Sequence, residues 1–331
     1  MRRTLTVLAT MALVACGTTT ANPEDPAGAP TTTQAPIQTT TTTAAVTTTA
    51  PVATTTTTVQ PTTTVAPSPT TTAPASPSTT QATGSVVVAP YFFIDEPGRP
   101  TRTGPFLFPI AREVGSTVAV ARAAMEQLLR GPSAAERSSV PAISTAIPEG
   151  VKLLGLTIRE DIATVDLSSE FGATDDSAAV AQRVAQVVFT LARFDSVAEV
   201  VFHQDGRPVA VQTGTGELVS RPVGIHDYLD MAAGIFVETP VYGGKAGDPL
   251  RVTGFGSVFE ATFRFALTDG DGRIIEEGIA MTSNGTGWGG FDFTIDYDVD
   301  RAQLGALIVW AASAQDGSRI DVREYPVMLT P

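Results

Sequence analysis

Two stretches of the chain show the three-and-four spacing of apolar residues that is typical of an amphipathic helix. Residues 117–130 form the first, with a Gly-Pro stop after it, and residues 177–192 form the second. The expected caps are Ser116 or Thr117 for the first helix and Asp175, Asp176 or Ser177 for the second. The predicted buried side chains are Val118, Ala121, Met125, Leu128 and Leu129 in the first helix, and Val180, Val184, Val187, Val188 and Leu191 in the second.

Strands surround these helices in residues 85–230. The predicted strands are residues 85–94, a hairpin of 152–158 and 162–167, and a pair of 199–203 and 208–212 around an Asp-Gly turn. A Gly- and Pro-rich loop follows the first strand. The resulting order, β-α-β-β-α-β-β, predicts an α+β two-layer sandwich with both helices on one sheet face.

Residues 235–331 show short strands and no helical period. About seven apolar runs alternate with Gly-, Asn- and Asp-rich turns, which predicts an all-β sandwich. The predicted strands are residues 235–239, 249–254, 260–268, 274–281, 290–297, 304–314 and 324–329. We predict two domains that are separable near residues 230–235 and independently stable, while the short link at 227–234 leaves a docked interface open.

The chain starts with the layout of a secretory signal. A short basic start precedes an apolar stretch, residues 5–15, that is too short to span a bilayer. Residues 13–17 (LVACG) resemble the lipobox of bacterial lipoproteins. The resemblance implies that a signal peptide, residues 1–15, is removed and that Cys16 is lipidated and anchors the chain to the outer face of the cell membrane. An ordinary signal with an unrelated cysteine is the alternative.

The segment from Cys16 to residue 84 has the composition of a disordered stalk. Residues 17–84 contain 28 threonines and 10 prolines, no aromatic residue and two charged residues. Such a segment buries too little apolar surface to offset its ordering entropy. In an exported protein it is typical of a tether, and its glycosylation is left open.

Charge and cysteine content narrow the classes of partner. The net charge is −13, and residues 85–331 carry all of it, since two basic and two acidic residues cancel in residues 1–84. An acidic body disfavours nucleic acid and anionic lipid, so we expect membrane contact through the lipid and no nucleic-acid partner. The single cysteine excludes an internal disulfide and a thiolate metal cluster.

Residue patterns that support catalysis or metal binding are scarce. The two histidines, His203 and His226, are too few for a histidine-rich metal site, and the chain has no Gly-x-Ser-x-Gly elbow and no lysine-bearing phosphate loop. The Asp269–Asp271 run lacks the glutamate of a calcium loop, so we expect a hairpin turn there. We therefore expect no catalytic residue, no cofactor and no metal site.

Two further groups have competing interpretations. Asp166, Ser168, Ser169 and Glu170 form a polar run at a strand end, where capping of nearby backbone groups is preferred to a polar site. The phenylalanines of residues 91–108 suit either a contact patch or core packing.

Several motifs in residues 85–230 resemble the GerMN domain of sporulation and germination proteins. The most specific is the Asp-Leu-Ser-x-Glu-Phe run at residues 166–171. The others are residues 128–132 (LLRGP), 147–150 (IPEG), 187–190 (VVFT) and 200–202 (VVF). The resemblance implies a fold similar to the ring-building modules of secretion and sporulation channels. It implies no catalytic residues, because that family is known for assembly and binding.

Residues 235–331 resemble the immunoglobulin-like domain of bacterial spore germination proteins, which commonly follows a GerMN domain. The matching runs are residues 239–240 (TP), 249–254 (PLRVTG), 258–260 (VFE), 290–291 (GF) and 313–318 (SAQDGS). The resemblance implies an immunoglobulin-like sandwich without the disulfide of antibody domains.

Together these features lead to one favoured hypothesis and two alternatives. The favoured hypothesis is a non-enzymatic, lipid-anchored envelope protein with a binding or assembly role in sporulation, germination or cell-wall upkeep. Its expected partner is a protein or peptidoglycan, and homo-oligomerisation is left open. The first alternative is an extracytoplasmic regulator of a membrane sensor kinase, as some actinobacterial lipoproteins with a GerMN domain are, although the propeller domain that those proteins carry is not found here. The second is a peptidoglycan-active enzyme, which the missing catalytic constellation disfavours.

Overall fold

The computed structural model describes residues 84–94, 104–174 and 176–331. The predictions on the signal peptide, on Cys16 and on the stalk fall outside the described residues. All of the described residues belong to one compact unit. None of their helices has the length and apolar content to cross a membrane.

The first folded region, residues 85–230, mixes helices with many short strands. Its strands are β1 Ser85–Val88, β2 Tyr91–Ile94, β3 Phe106–Pro109, β4 Arg112–Gly115, β5 Ile143–Ser144, β6 Leu153–Arg159, β7 Ile162–Leu167, β8 Glu199–Gln204, β9 Arg207–Pro208, β10 Val211–Gln212 and β11 Leu218–Val219. Its helices are α1 Val120–Arg130, α2 Ala134–Arg137 and α3 Ser177–Ala192, with 3₁₀ segments at Ser169–Gly172 and Ile225–Met231.

The main sheet of this region has the strand order β6-β7-β8-β9. β6 and β7 form the predicted hairpin, and β7 runs parallel to β8, with α3 as the connection between them. α1 contacts α3 and β6, and α3 contacts β8. The side chains of Val165 and Phe202 are buried. The α+β class is therefore confirmed.

The predicted strand order β-α-β-β-α-β-β is not the order that the structure has. Among the described residues, four strands precede α1 instead of one, and the region between the Gly- and Pro-rich loop and the first predicted helix, where no strand is predicted, contains β3 and β4. The strand predicted at 208–212 is divided between β9, which pairs with β8, and β10, which pairs with β11. Strands of two to four residues contain too few alternating positions for periodicity to reveal them.

The two long helices differ in how well the sequence predicted them. α3 has the predicted bounds, and the Asp176 carboxylate caps it by accepting hydrogen bonds from two backbone N–H groups. α1 begins later than expected, and Val118, predicted to be buried, is fully exposed ahead of it. The Thr117 hydroxyl accepts a hydrogen bond from the Ala119 N–H at 3.1 Å instead of capping the helix.

α3 also carries a buried polar stripe that the sequence did not indicate. Gln186 donates to the carbonyl of Tyr91 at 2.8 Å, and the Thr190 hydroxyl accepts from the Tyr91 N–H at 3.0 Å. Arg183 donates to the carbonyls of Ala146 and Phe171. Because buried backbone groups need partners, these side chains hold β2 and the loops against the helix.

The second folded region, residues 235–331, is a two-sheet sandwich. Its strands are β12 Ile235–Thr239, β13 Gly244–Lys245, β14 Leu250–Gly256, β15 Thr262–Thr268, β16 Ile274–Met281, β17 Gly289–Ile295, β18 Gln303–Ala312 and β19 Arg319–Leu329. One sheet has the order β12-β14-β17 and the other β13-β19-β18-β15-β16. Each of the seven predicted strands corresponds to one observed strand, and β13 is additional.

Aromatic side chains from both regions form one shared core. Tyr91 stacks on Phe236 with ring centroids 5.9 Å apart, and both rings contact Phe189. Phe108 packs against Tyr325 at 5.3 Å. All five residues are buried, so the phenylalanines on β2 and β3 serve core packing and not a contact patch.

Backbone hydrogen bonds also join the two regions. The Tyr242 N–H donates to the carbonyl of Pro109 at 2.9 Å, and the Ala111 N–H donates to the carbonyl of Tyr242 at 3.1 Å. The guanidinium of Arg323 lies over the ring of Phe106 at 4.8 Å. This joint packing argues against the predicted independent stability and favours the docked interface that the short link left open, because each region would expose aromatic surface without the other.

A candidate ligand cleft

Most of the polar side chains in the run at residues 166–170 make local contacts at the end of β7. An Asp166 carboxylate oxygen accepts a hydrogen bond from the Gly206 N–H at 3.0 Å, and the Ser168 hydroxyl accepts one from the Lys152 N–H at 2.9 Å. A hydrogen bond from Ser168 lowers the pKa of the exposed Glu170 carboxyl. These contacts confirm the predicted capping at the end of β7.

The two histidines lie on different elements. His203 is near the end of β8, where it sits beside Asp166 in the parallel register with β7. His226 is exposed in the 3₁₀ segment Ile225–Met231. Within residues 84–94, 104–174 and 176–331, no three histidine, cysteine or acidic side chains are grouped in a way that could hold a metal ion.

The Asp-Gly-Asp-Gly run is the hairpin turn that the sequence predicted. It joins β15 to β16, and one carboxylate oxygen of Asp269 accepts hydrogen bonds from the N–H groups of Asp271, at 3.0 Å, and Arg273, at 2.8 Å. The carboxylate therefore stabilises the turn itself.

A cleft of about 670 Å³ opens where the two folded regions meet. We call it the junction cleft. Its walls are the C-terminal end of α3 with the residues that follow, the end of β12, and the exposed face of β14 and β17. The charged residues that line it are Arg193, Asp195, Glu238, Arg251 and Asp292. Neither folded region forms this cleft alone.

Arg193 and Glu238 bring opposite charges into the junction cleft. Arg193 follows α3, and its guanidinium donates a hydrogen bond to the backbone carbonyl of Glu238 at 2.8 Å. The Glu238 side chain is partly buried, and this burial raises the pKa of its carboxyl although Arg193 opposes the shift. Within the described part of the chain, no cation lies within ion-pair distance of the Glu238 carboxylate.

The hydroxyl of Tyr91 lies beside these two charged groups. It is fully buried, and burial together with the Glu238 charge raises its pKa, so it remains protonated at neutral pH. Side-chain hydrogen bonding of Tyr91 with Arg193 and with Glu238 opposes part of the upward pKa shifts of Tyr91 and Glu238.

The opposite wall contains an ion pair that satisfies itself. Arg251 on β14 donates two hydrogen bonds to the carboxylate of Asp292 on β17, at 3.0 and 2.6 Å. This pairing raises the pKa of Arg251 and lowers that of Asp292. Both side chains are more than half exposed, so the pair contributes little to stability.

Gly254, which lines the junction cleft, has no room for a side chain. A Cβ atom at this position would lie 2.0 Å from the backbone carbonyl oxygen of Phe236 on β12. Only glycine therefore allows β12 and β14 to approach as they do.

A second cavity of about 320 Å³ adjoins the junction cleft. Arg193, Thr239 and Arg251 line both, and Lys245 adds a further basic side chain to the second.

The sequence did not predict this site, for a physical reason. Its charged residues come from four separate segments of the chain and meet only through tertiary packing. The alternation of β14 and β17 places Arg251 and Asp292 on exposed faces, which is a weak signal. No short motif joins Arg193 to Glu238.

Comparisons with known protein families agree with both resemblances. Residues 90–210 match the model of the Germane family, described as sporulation and spore germination. Residues 234–318 match the model of the Gmad2 family, described as the immunoglobulin-like domain of bacterial spore germination. No curated protein matches the chain.

Solved structures with detectable similarity are distant in sequence. The tandem GerMN domains of the sporulation protein GerM from Bacillus subtilis show 13% identity over 75% of this chain and 61% of that one, with a TM-score of 0.36. The chain thus spans about three fifths of that structure's length. A putative lipoprotein from Clostridium perfringens shows 19% identity over 46% of this chain and 95% of that one, with a TM-score of 0.29.

Proposed function

Because the chain joins a sporulation- and germination-type domain to an immunoglobulin-like domain, we propose that it is a non-enzymatic, lipid-anchored protein of the cell envelope. Its role is to bind or assemble a protein or peptidoglycan partner in sporulation, germination or cell-wall upkeep. Cys16 carries the anchor, and the folded regions stand on the outer face of the cell membrane.

The observation that carries the proposal is the pairing of the two family matches within one folded body. Residues 90–210 and 234–318 match families that are both described by spore germination. The regions share a buried aromatic core through Tyr91, Phe108 and Phe236. A fused pair of domains offers a composite surface, which suits binding.

The local chemistry supports a non-enzymatic role. Asp166 and Ser168, the polar residues within the most family-specific motif, are engaged with backbone groups of their own neighbourhood. In the junction cleft, Arg251 is paired with Asp292, and Arg193 is engaged with a backbone carbonyl. A general base or nucleophile would instead need an orienting partner and a reacting group within reach.

The anchor is supported by the start of the chain. A basic start, a short apolar stretch and the residues LVACG at 13–17 are the pattern of a lipobox. Two or three acyl chains, at about 0.8 kcal/mol for each buried CH₂, hold a protein durably on a membrane, whereas one chain is marginal.

The test is the distribution of the full chain between membrane and medium. We expect Cys16→Ser to move the protein from the membrane fraction to the medium, or to leave the precursor uncleaved, as measured by fractionation and intact mass. Thr18→Ser, two residues away, is the matched control and should behave as the wild type. Normal processing with unchanged membrane retention of Cys16→Ser would refute the anchor.

A further inference from the structure

We propose that the junction cleft binds an α-amino-acid head group, that is, an ammonium and a carboxylate on one carbon atom. Glu238 receives the ammonium and Arg193 the carboxylate. This inference rests on the proposed function, since it names the chemical class that the binding module captures.

Glu238 is suited to an ammonium group. Its carboxylate is partly buried in the cleft wall, and in the described residues no cation lies within ion-pair distance of it. The upward shift of its pKa indicates that burial destabilises its charged form. An incoming cation would offset that destabilisation, because a desolvated carboxylate gains most from a direct charge partner.

Arg193 is suited to a carboxylate group. Arg193 lines the cleft, and one N–H group of its guanidinium donates to the backbone carbonyl of Glu238 at 2.8 Å, which fixes the orientation of the side chain. A guanidinium has five N–H donors, so it can hold this bond and still bind a carboxylate. The same contact places the two recognition groups next to each other.

The fully buried Tyr91 hydroxyl lies beside Glu238 and Arg193, and its hydrogen bonding with Glu238 opposes the upward shift of that carboxyl's pKa. The Arg251–Asp292 pair is already satisfied and serves as a wall of the cleft.

The charges that line the two adjoining cavities favour a zwitterion over a ligand with net charge. The charged residues that line the two adjoining cavities are Arg193, Lys245 and Arg251 on the basic side and Asp195, Glu238 and Asp292 on the acidic side. Three positive and three negative side chains balance. A strongly anionic or cationic ligand would meet repulsion as well as attraction.

The size of the cleft admits more than the head group. Its volume of about 670 Å³ lies within the range of about 300–1,000 Å³ that is typical of ligand sites. The head group has two sources in a cell envelope. One is a free amino acid, and the other is a wall stem peptide whose diamino acid has a side chain that ends in a free ammonium and a free carboxylate on one carbon atom. Both share the chemistry that Glu238 and Arg193 recognise.

The test is calorimetric titration of the purified full chain with three probes. These are free L-alanine, a wall tripeptide whose diaminopimelate has a free side-chain ammonium and carboxylate on one carbon atom, and the same tripeptide with that side-chain ammonium acetylated. We expect binding of at least one unmodified probe and at least tenfold weaker binding of the acetylated one. If L-alanine alone binds, the source is free amino acid; if only the tripeptide binds, the source is the wall.

Variants identify the site. Glu238→Gln and Arg193→Gln should each weaken binding at least tenfold, whereas Glu277→Gln, an exposed glutamate on β16, should leave it unchanged. Thermal unfolding of each variant shows whether the fold is intact. No binding of any probe, or equal binding by wild type and a folded Glu238→Gln variant, would overturn the inference. Either result leaves the anchored binding role intact, because fractionation and partner capture test that role separately.

Discussion

Glu238 is a carboxylate that the fold keeps partly buried, with Arg193 and the Tyr91 hydroxyl as the charged and titratable groups that face it. Burial raises its pKa above the ordinary value near 4.5. In the folded state the group therefore binds a proton more tightly than in the unfolded state. Linkage then requires that the contribution of Glu238 to the free energy of unfolding falls as the pH rises from about the unfolded pKa through the raised folded pKa.

The substitution Glu238→Gln tests this residue directly. Glutamine mimics the protonated side chain, so we expect equal stability of wild type and variant near pH 4 and a more stable variant at pH 8. Each unit of upward pKa shift corresponds to about 1.4 kcal/mol. Chemical denaturation across pH 4–8 measures the difference.

Glu277→Gln is the control for this experiment, because Glu277 is exposed on β16. Its effect on unfolding should not change with pH in the same way. A Glu238→Gln variant that is less stable than the wild type at pH 8 would show that the carboxylate is stabilised in the folded state, contrary to our account.

At the scale of elements, α3 shows what a sequence can predict. Its sixteen residues hold several turns of apolar periodicity, and a capping Asp176 marks its start, so its bounds follow from local signals. The hairpin of β6 and β7 and the strands of the sandwich were predictable for the same reason. Long elements with one buried face can be predicted from their own sequence, because the apolar periodicity repeats over several turns or residue pairs.

Elements that depend on tertiary contacts were not predictable. β3 and β5 are short strands held against β2, and β2 is in turn held by Gln186 and Thr190 of α3. Those two polar residues look like solvent-facing positions in a helical pattern, yet both are buried. Their partners lie some ninety-five residues earlier in the chain, at Tyr91.

The candidate site was the least predictable part. Arg193, Glu238 and Arg251 are ordinary surface-type residues in the sequence, and only packing of the two regions brings them to one cleft. By contrast, the motif residues Asp166 and Ser168 stood out in the sequence and proved to have local roles. The residues of a family motif can therefore have a structural role and no chemical one, as Asp166 and Ser168 do.

At the scale of the whole molecule, the shared core couples the two regions. Expressed alone, residues 84–231 would expose Tyr91 and Phe108, and residues 234–331 would expose Phe236 and Tyr325, all of which are buried in the joint structure. Burial of an aromatic side chain contributes about 1.5–3 kcal/mol. We therefore expect each half to be several kcal/mol less stable than in the full chain, or to aggregate.

Co-expression of the two halves is the control for this prediction. The pair should reassemble into a soluble complex with a single cooperative unfolding transition, as measured by size-exclusion chromatography and calorimetry. Two separately soluble halves that each unfold cooperatively at the temperature of the full chain would show that the interface contributes little.

The central claim is that this protein acts by binding through a surface and not by catalysis at one residue. Its most direct test is partner capture by cross-linking in membranes, normalised to the folded fraction. The variants to compare with the wild type are Asp166→Ala, Ser168→Ala, Glu170→Ala, His203→Ala and His226→Ala. Loss of a capping contact costs about 1 kcal/mol, so we predict that every variant captures the same partners in proportion to its folded amount. A folded variant that loses all capture, together with turnover of wall fragments by the wild type, would contradict the account.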